Sequence, residues 1–252
     1  MVPRTRGMLD VHSPATRRAT TDWWLILVIP SMTAAYATLS LSSGVVSDLI
    51  EEDGVYEWVG TLGLFAAAIA FAVAAVRTRR FVNAGGGDAS RWKPWVFAAL
   101  AAGLFFAAGE EISWGQRLLG IETPESLRAA NGQDEINVHN LAVVGGRLDM
   151  LFQLFWAGLF VVIPLVAEAS SRARRALRRF LPVAPPVIAV LLIANYLLAQ
   201  TSERVLDGEL YDSIYPLTHS VNELKEAVVG LVLGIAALLI LRRTEQRAAE
   251  PA

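Results

Sequence analysis

The sequence predicts an all-α membrane protein, a bundle of six transmembrane helices, from its hydropathy and the distribution of its charges. Hydrophobic residues make up 54% of the 252 residues, and the mean hydropathy is +0.43, more apolar than a soluble domain of this length. Six apolar stretches are each long enough to cross about 30 Å of hydrocarbon as a helix. They are Trp23–Ser42, Tyr56–Val76, Trp95–Trp114, Leu151–Glu168, Leu181–Gln200 and Val221–Leu241.

The segments between these stretches alternate in charge. The two tails and the second and fourth loops hold 17 of the 22 Lys and Arg residues, whereas the other loops and helix ends hold 18 of the 24 Asp and Glu residues. Because basic loops stay in the cytoplasm, both termini are predicted to be cytoplasmic, in a chain located in the plasma membrane. Polar side chains in the outer halves of all six helices predict a shared polar cavity at the extracytoplasmic face.

The domain organisation follows from the same pattern. Residues 1–22 and 242–252 are predicted to be cytoplasmic tails, and residues 23–241 a single transmembrane domain with an outer loop at 115–147. A signal peptide over residues 1–43 is the alternative, but the apolar run is long for one, which favours an uncleaved anchor. The Arg clusters are interpreted as topology signals and contacts to anionic lipid headgroups, not as a nucleic-acid site.

The first candidate site is the polar run at the outer end of the third stretch. On a continuous helix Glu110, Ser113 and Arg117 would share one face. As catalytic residues, Glu110 or Glu111 would act as a base or metal ligand, Ser113 would donate to an oxyanion, and Arg117 would bind an anionic group. The alternative is an ion pair of Glu110 or Glu111 with Arg117, beside Trp114 as an interfacial anchor.

The second candidate site is a metal centre. His219 and Glu223 lie four residues apart on one helical face, and His139 lies in the outer loop that is richest in polar residues. Together they would suit zinc, iron or manganese, although histidines hydrogen-bonded to their neighbours are the simpler interpretation. The residues expected to support both candidate sites are Gln116, Glu135, Asn137, Asn140, Gln200, Glu203, Asn222 and Glu226.

Residues 110–140 also carry a distinctive motif. It consists of Glu110-Glu111-x-Ser113-Trp114-Gly115-Gln116-Arg117, Glu122-Thr123-Pro124 and Asn131-x-Gln133-x-Glu135-x-Asn137-x-His139-Asn140. The motif resembles that of a family of prokaryotic multi-pass membrane proteins, which implies a membrane protein but no particular reaction. Glu110-x-x-Ser113 and His219-x-x-x-Glu223 are more faintly similar to the alkaline ceramidase superfamily of membrane metallohydrolases. That superfamily has seven helices and two further histidines where this chain has Arg117 and Glu223.

These observations favour a membrane-embedded enzyme, a metal-assisted hydrolase or transferase that acts on a lipid or lipid-linked substrate. Its expected partners are the bilayer and that substrate. A non-catalytic assembly or sensor subunit is the first alternative. A proton- or ion-coupled transporter is the second, although the inner halves of the helices supply few polar groups for a path. A serine hydrolase lacks its Gly-x-Ser-x-Gly elbow here. The chain has no cysteine, which excludes a thiolate nucleophile and a Cys-based metal site.

Overall fold

A computed structural model of the chain describes residues 23–50, 54–85, 89–128, 130–131, 135–138, 141, 145–206 and 217–249. Within these ranges the fold is helical, and the β pairing amounts to a single antiparallel bridge between Asn131 and Leu141. The all-α prediction is therefore confirmed for the described residues.

The helices are named here in their order along the chain. They are α1 (Trp23–Ala37), α2 (Ser43–Ile50), α3 (Val55–Asn83), α4 (Lys93–Glu111), α5 (Gln116–Leu119), α6 (Glu125–Arg128), α7 (Gly145–Ala157), α8 (Ile163–Ala169), α9 (Ser171–Phe180), α10 (Pro186–Val205) and α11 (Leu217–Ala249).

Four stretches of helix are long and apolar enough to cross a membrane. They are the stretch that contains α3, the stretch Met150–Ala169, α10 and α11, and a fifth is added if α4 and the bent segment after it form one span. The first predicted span, Trp23–Ser42, is α-helical over the 15 residues of α1, followed by a 3₁₀ turn at Thr38–Ser40. The described residues thus support a multi-helix apolar protein with up to five such spans.

The centre of the bundle is a glycine-lined contact between α3 and α11. A Cβ atom added at Gly60 would lie 3.0 Å from the Cα of Ala227, and one added at Gly63 would overlap the backbone of Gly230. From the first contact to the second, the residue number rises by three in α3 and by three in α11. The two helices therefore run parallel. Small residues at this spacing let two apolar helices approach to backbone contact.

The neighbouring helices complete the core. Helix α4 runs antiparallel to α3, because Phe71 lies 5.8 Å from Phe97 and Phe65 lies 5.7 Å from Phe105 between ring centroids. Helix α10 is joined to α11 through Asn195, whose side-chain amide donates to the backbone oxygen of Lys225 at 3.0 Å.

The register of these helices gives the bundle two chemically different ends. At one end Arg77 of α3 forms an ion pair with Glu245 of α11, and the buried Lys93 donates to the backbone oxygen of Arg178 in α9 at 2.6 Å. This Arg-rich end also carries the five arginines of α9. The opposite, acidic end carries the starts of α3 and α11 and the end of α4.

Candidate functional site

The candidate site at the acidic end begins where helix α4 ends. Ser113, Trp114 and Gly115 have φ angles of 46°, 57° and 76°, and the chain beyond them is bent by 69° from α4. The prediction that Glu110, Ser113 and Arg117 share one helical face was therefore wrong, because only Glu110 belongs to α4. Left-handed backbone costs roughly 1–2 kcal/mol for each residue that has a Cβ, so the surroundings of Ser113 and Trp114 must hold them there.

Trp114 supplies part of that support by folding back on α4. Its indole nitrogen donates to Glu110 Oε1 at 2.7 Å, and its ring lies 5.4 Å from Phe106 between centroids. A Cβ atom at Gly109 would come within 2.8 Å of the indole. The absence of a side chain at residue 109 is thus what lets the indole lie against the helix.

Glu110 also ties α4 to the outer loop. Its second oxygen, Oε2, accepts a hydrogen bond from the backbone nitrogen of Val138 at 2.6 Å, and the residue is 5% exposed. Both carboxylate oxygens therefore accept hydrogen bonds, one from a side chain and one from the backbone. Glu111, the next residue, is half-buried.

Gln116 connects two parts of the loop at the start of α5. Its amide nitrogen donates to Thr123 Oγ1 at 2.6 Å, and its amide oxygen accepts from the backbone nitrogen of Ile136 at 2.6 Å. Gln116 and Thr123 are both buried. This one side chain thus fixes both the segment that leads into α6 and the segment that leads out of it.

Arg117 joins the loop to α3. One guanidinium nitrogen lies 3.0 Å from Glu57 Oε1, and the other forms an ion pair with Glu135. The side chains of Glu57 and Glu135 are only 11% and 7% exposed. These two acids lie in α3 and in the outer loop, because the bend after α4 turns Arg117 towards the start of α3.

Two asparagines complete the set of hydrogen bonds. Asn137 donates to Ser113 Oγ at 3.1 Å and also to Glu135. Asn131 donates to the backbone oxygen of Glu135 at 2.9 Å and to Asn137 Oδ1 at 2.9 Å. All four of these side chains are buried. We call the whole set the cap network. Its members are Glu57, Glu110, Ser113, Trp114, Gln116, Arg117, Thr123, Asn131, Glu135 and Asn137.

His219 and Glu223 form a second polar group at the same end. His219 Nδ1 lies 3.8 Å from Glu223 Oε1, and the two side chains are 32% and 31% exposed. The register of α3 and α11 puts Glu57 level with Leu224, so this pair lies at the depth of the cap network. The neighbouring Asn222 and Glu226 are exposed, and Asn222 accepts a hydrogen bond from Lys225 at 2.7 Å.

Helix α10 brings its own polar residues to the acidic end. It begins at the Arg-rich end, where the backbone oxygen of Arg179 in α9 accepts from Ser90 at 3.0 Å, and Asn195 is already level with Lys225. Gln200 and Glu203 lie beyond Asn195 towards the acidic end. Their side chains form a hydrogen bond of 3.4 Å.

The predicted metal centre is only partly within the described residues. His139 and Asn140 lie outside them. Among the residues that are described, no group of three His, Cys, Asp or Glu side chains is arranged to hold a metal ion. His219 and Glu223 are two candidate ligands, and a complete set would need a third.

The structure also adds residues that the sequence prediction did not include. Glu57, Thr123 and Asn131 are buried or largely buried partners in the cap network. Glu57 carried a signal, since it is an acid in the first turn of a long apolar helix. Thr123 and Asn131 were included in the motif at residues 110–140 but had no role in either candidate site.

Comparison with known proteins gives no relative for this arrangement. The chain matches no protein-family model, no curated protein and no solved structure. The inference of function therefore rests on the geometry of the acidic end.

Proposed function

We propose that the chain is an integral membrane protein with six membrane crossings, both termini in the cytoplasm and the acidic end at the outer face of the plasma membrane. The four to five long apolar helices support the membrane location. The concentration of arginine at the opposite end supports the orientation. The acidic side chains then lie at the depth of the outer headgroups.

Cysteine labelling tests this orientation, because the chain has no cysteine of its own. Ser90 lies in the connection between α3 and α4, and Ser126 lies in the short helix α6 at the opposite end of the bundle. Single cysteines at these two positions should react with an impermeant maleimide from opposite sides of the membrane. Reaction from the same side would overturn the orientation.

The acidic end is proposed to act as a membrane-embedded hydrolase or transferase on a lipid or lipid-linked substrate, with His219 and Glu223 as the reacting pair. The observation that carries this proposal is the His219–Glu223 pair itself, at 3.8 Å and about one-third exposed. It lies at the depth of a buried network that includes two strained residues. Strained backbone is concentrated at functional sites, where the surrounding structure is used to hold a fixed geometry.

In this proposal His219 is the general base. Glu223 orients the imidazole, and the 3.8 Å separation closes when substrate binds, as catalytic contacts in free enzymes commonly do. His219 takes the proton of a water molecule while the oxygen attacks the acyl or phosphoryl centre, and it returns the proton to the leaving oxygen. A transferase would use an acceptor hydroxyl in place of water.

The cap network has a positioning role in this scheme. Glu110 and Arg117 were expected to activate water and to bind an anion, but their polar atoms make hydrogen bonds and ion pairs inside the network. Both carboxylate oxygens of Glu110 accept hydrogen bonds from the protein itself, one from the Trp114 indole and one from the backbone of Val138. Glu110, Ser113 and Arg117 are therefore proposed to hold the outer loop in place beside the reacting pair.

A divalent metal would add a stronger way to activate water. Zinc, iron or manganese would take His219 and Glu223 as ligands, with His139 as the predicted third. Elemental mass spectrometry of purified protein tests this, with wild type beside His219→Ala and His139→Ala. Near-stoichiometric metal that both substitutions remove would establish the centre, and a metal-free folded wild type would leave His219 as a base alone.

The enzyme proposal is tested in a host that needs the protein. His219→Gln and Glu223→Gln should abolish growth or change the lipid profile while protein amounts stay normal. The matched control is Thr218→Ala, an exposed neighbour on the same helix. Normal growth and lipids with both pair variants would contradict a catalytic role.

A non-catalytic assembly or sensor subunit is the second candidate. It is favoured by the same internal bonding of Glu110, Gln116 and Arg117, because a rigid loop can serve as a recognition surface without any reaction. It predicts that variants of the cap network lose function and variants of the His219–Glu223 pair keep it. A transport path is less well supported, since the buried side of α3 between Thr61 and Thr78 is made of Gly, Ala, Leu and Phe.

A further inference from the structure

The Arg-rich end has a groove that the proposed reaction does not use. It lies between the end of α3 and the start of α4 and has a volume of about 450 Å³. It is lined by Arg79, Val82, Asn83, Arg91, Trp92, Pro94 and Trp95. Two of these seven residues are arginines and none is acidic.

The two arginines are held over aromatic rings. The guanidinium carbon of Arg79 lies 6.0 Å from the ring centroid of Trp95, and that of Arg91 lies 5.9 Å from the ring centroid of Trp92. Stacking on a ring restricts a guanidinium group while leaving its N–H groups able to bind a phosphate with two parallel hydrogen bonds. Within the described part of the chain neither arginine has an ion-pair partner.

The surroundings of the groove are typical of a membrane interface. Trp92 and Trp95 are each 61% exposed, and tryptophan at this position marks the headgroup level of a bilayer. A second groove, of about 320 Å³, follows α3 from Arg77 and Arg80 to Val76, Val73 and Ala72. Both grooves are lined by residues of α3, so the basic groove lies on the same helix as an apolar surface formed by Ala72, Val73 and Val76.

We propose that the Arg79–Arg91 groove is a binding site for the phosphate headgroup of an anionic phospholipid. The two guanidinium groups bind the phosphate, and the exposed tryptophan rings cover the glycerol region. A general attraction between a basic surface and an anionic leaflet would be spread over every arginine at this end. In the proposed site, the preference for anionic lipid instead depends on Arg79 and Arg91.

The test is native mass spectrometry of the full chain in detergent, titrated with phosphatidylglycerol or with phosphatidylcholine of the same acyl chains. Wild type should bind phosphatidylglycerol about tenfold more tightly. The double variant Arg79→Gln/Arg91→Gln should lose that preference. The control Arg172→Gln removes an exposed arginine of α9 at the same end that does not line the groove, and it should change binding less than about twofold.

Three results would overturn the proposal. Equal binding of the two lipids would show that there is no anionic headgroup site. Equal losses in Arg172→Gln and in the groove variants would show general surface attraction. Displacement of phosphatidylglycerol by millimolar inorganic phosphate would show that the groove recognises free phosphate and not a lipid. None of these results bears on His219 or Glu223, so the proposed reaction is tested separately.

Discussion

The acidic end and the Arg-rich end of the bundle differ in how their charged side chains are bonded and exposed. At the acidic end, Arg117 lies between Glu57 and Glu135, and Glu110 accepts two hydrogen bonds. At the Arg-rich end, Arg79 and Arg91 are exposed and lie over tryptophan rings. The cap network therefore satisfies its polar groups with one another, whereas Arg79 and Arg91 present their guanidinium groups to the surroundings.

This difference predicts which substitutions should reduce the stability of the fold and which should reduce binding. Removal of one partner from a buried network leaves the remaining groups desolvated and unpaired, at a large cost. Removal of an exposed arginine leaves no buried group unpaired. The same change of residue type should thus have different consequences at the two ends.

The largest effect is expected for Arg117→Ala. It leaves Glu57 and Glu135 without their shared partner, so the free energy of unfolding should fall by about 3 kcal/mol. Chemical denaturation in detergent measures this. The control is Arg147→Ala, which removes an exposed arginine at the acidic end. Equally small losses of unfolding free energy for the two substitutions would contradict the burial of Arg117 in the cap network.

The next largest loss of unfolding free energy is expected for Gly63→Ala, in the contact between α3 and α11. The added methyl group would overlap the backbone of Gly230, and overpacking of this kind costs about 1–3 kcal/mol. Gly103→Ala is the control, because a Cβ there meets no atom within 4 Å. The same denaturation experiment should show a loss for residue 63 and none for residue 103.

A smaller effect is expected for Gly109→Ala. The new Cβ would displace the Trp114 indole and weaken its hydrogen bond to Glu110, at a cost of about 1 kcal/mol. The emission of Trp114 should also shift to the red as the ring moves into water. The Trp114 spectrum is obtained by subtracting the emission of a chain with Trp114→Phe from that of the otherwise identical chain. An unshifted spectrum would mean that the ring does not rest on Gly109.

The smallest effect on folding is expected at the Arg-rich end. Arg79→Gln/Arg91→Gln should change the free energy of unfolding by less than about 0.5 kcal/mol, because both side chains are exposed. A loss as large as that of Arg117→Ala would remove the contrast between the ends and place these arginines in the folded core.

Much of the outline could be predicted from the sequence, because it depends on local composition. Hydropathy predicted six spans, of which four to five are long apolar helices in the described residues, and the polar run at residues 110–117 marked the end of α4. The helix break was missed, since nothing local marks Ser113 and Trp114 as left-handed residues. The partner of Arg117 was also missed, because Glu57 is 60 residues away in sequence and only the packing of α4 on α3 brings the two together.

The close contact of α3 and α11 has an electrostatic consequence. Their parallel course places the N-termini of two long helices side by side, and each N-terminus is equivalent to about half a positive charge. Two like dipoles at backbone contact repel each other, and negative side chains in the first turns offset that repulsion. Glu57 stands in the first turn of α3 and Glu223 in the second turn of α11. The carboxylate of Glu57 therefore offsets part of the like charge that the parallel, glycine-lined contact brings together.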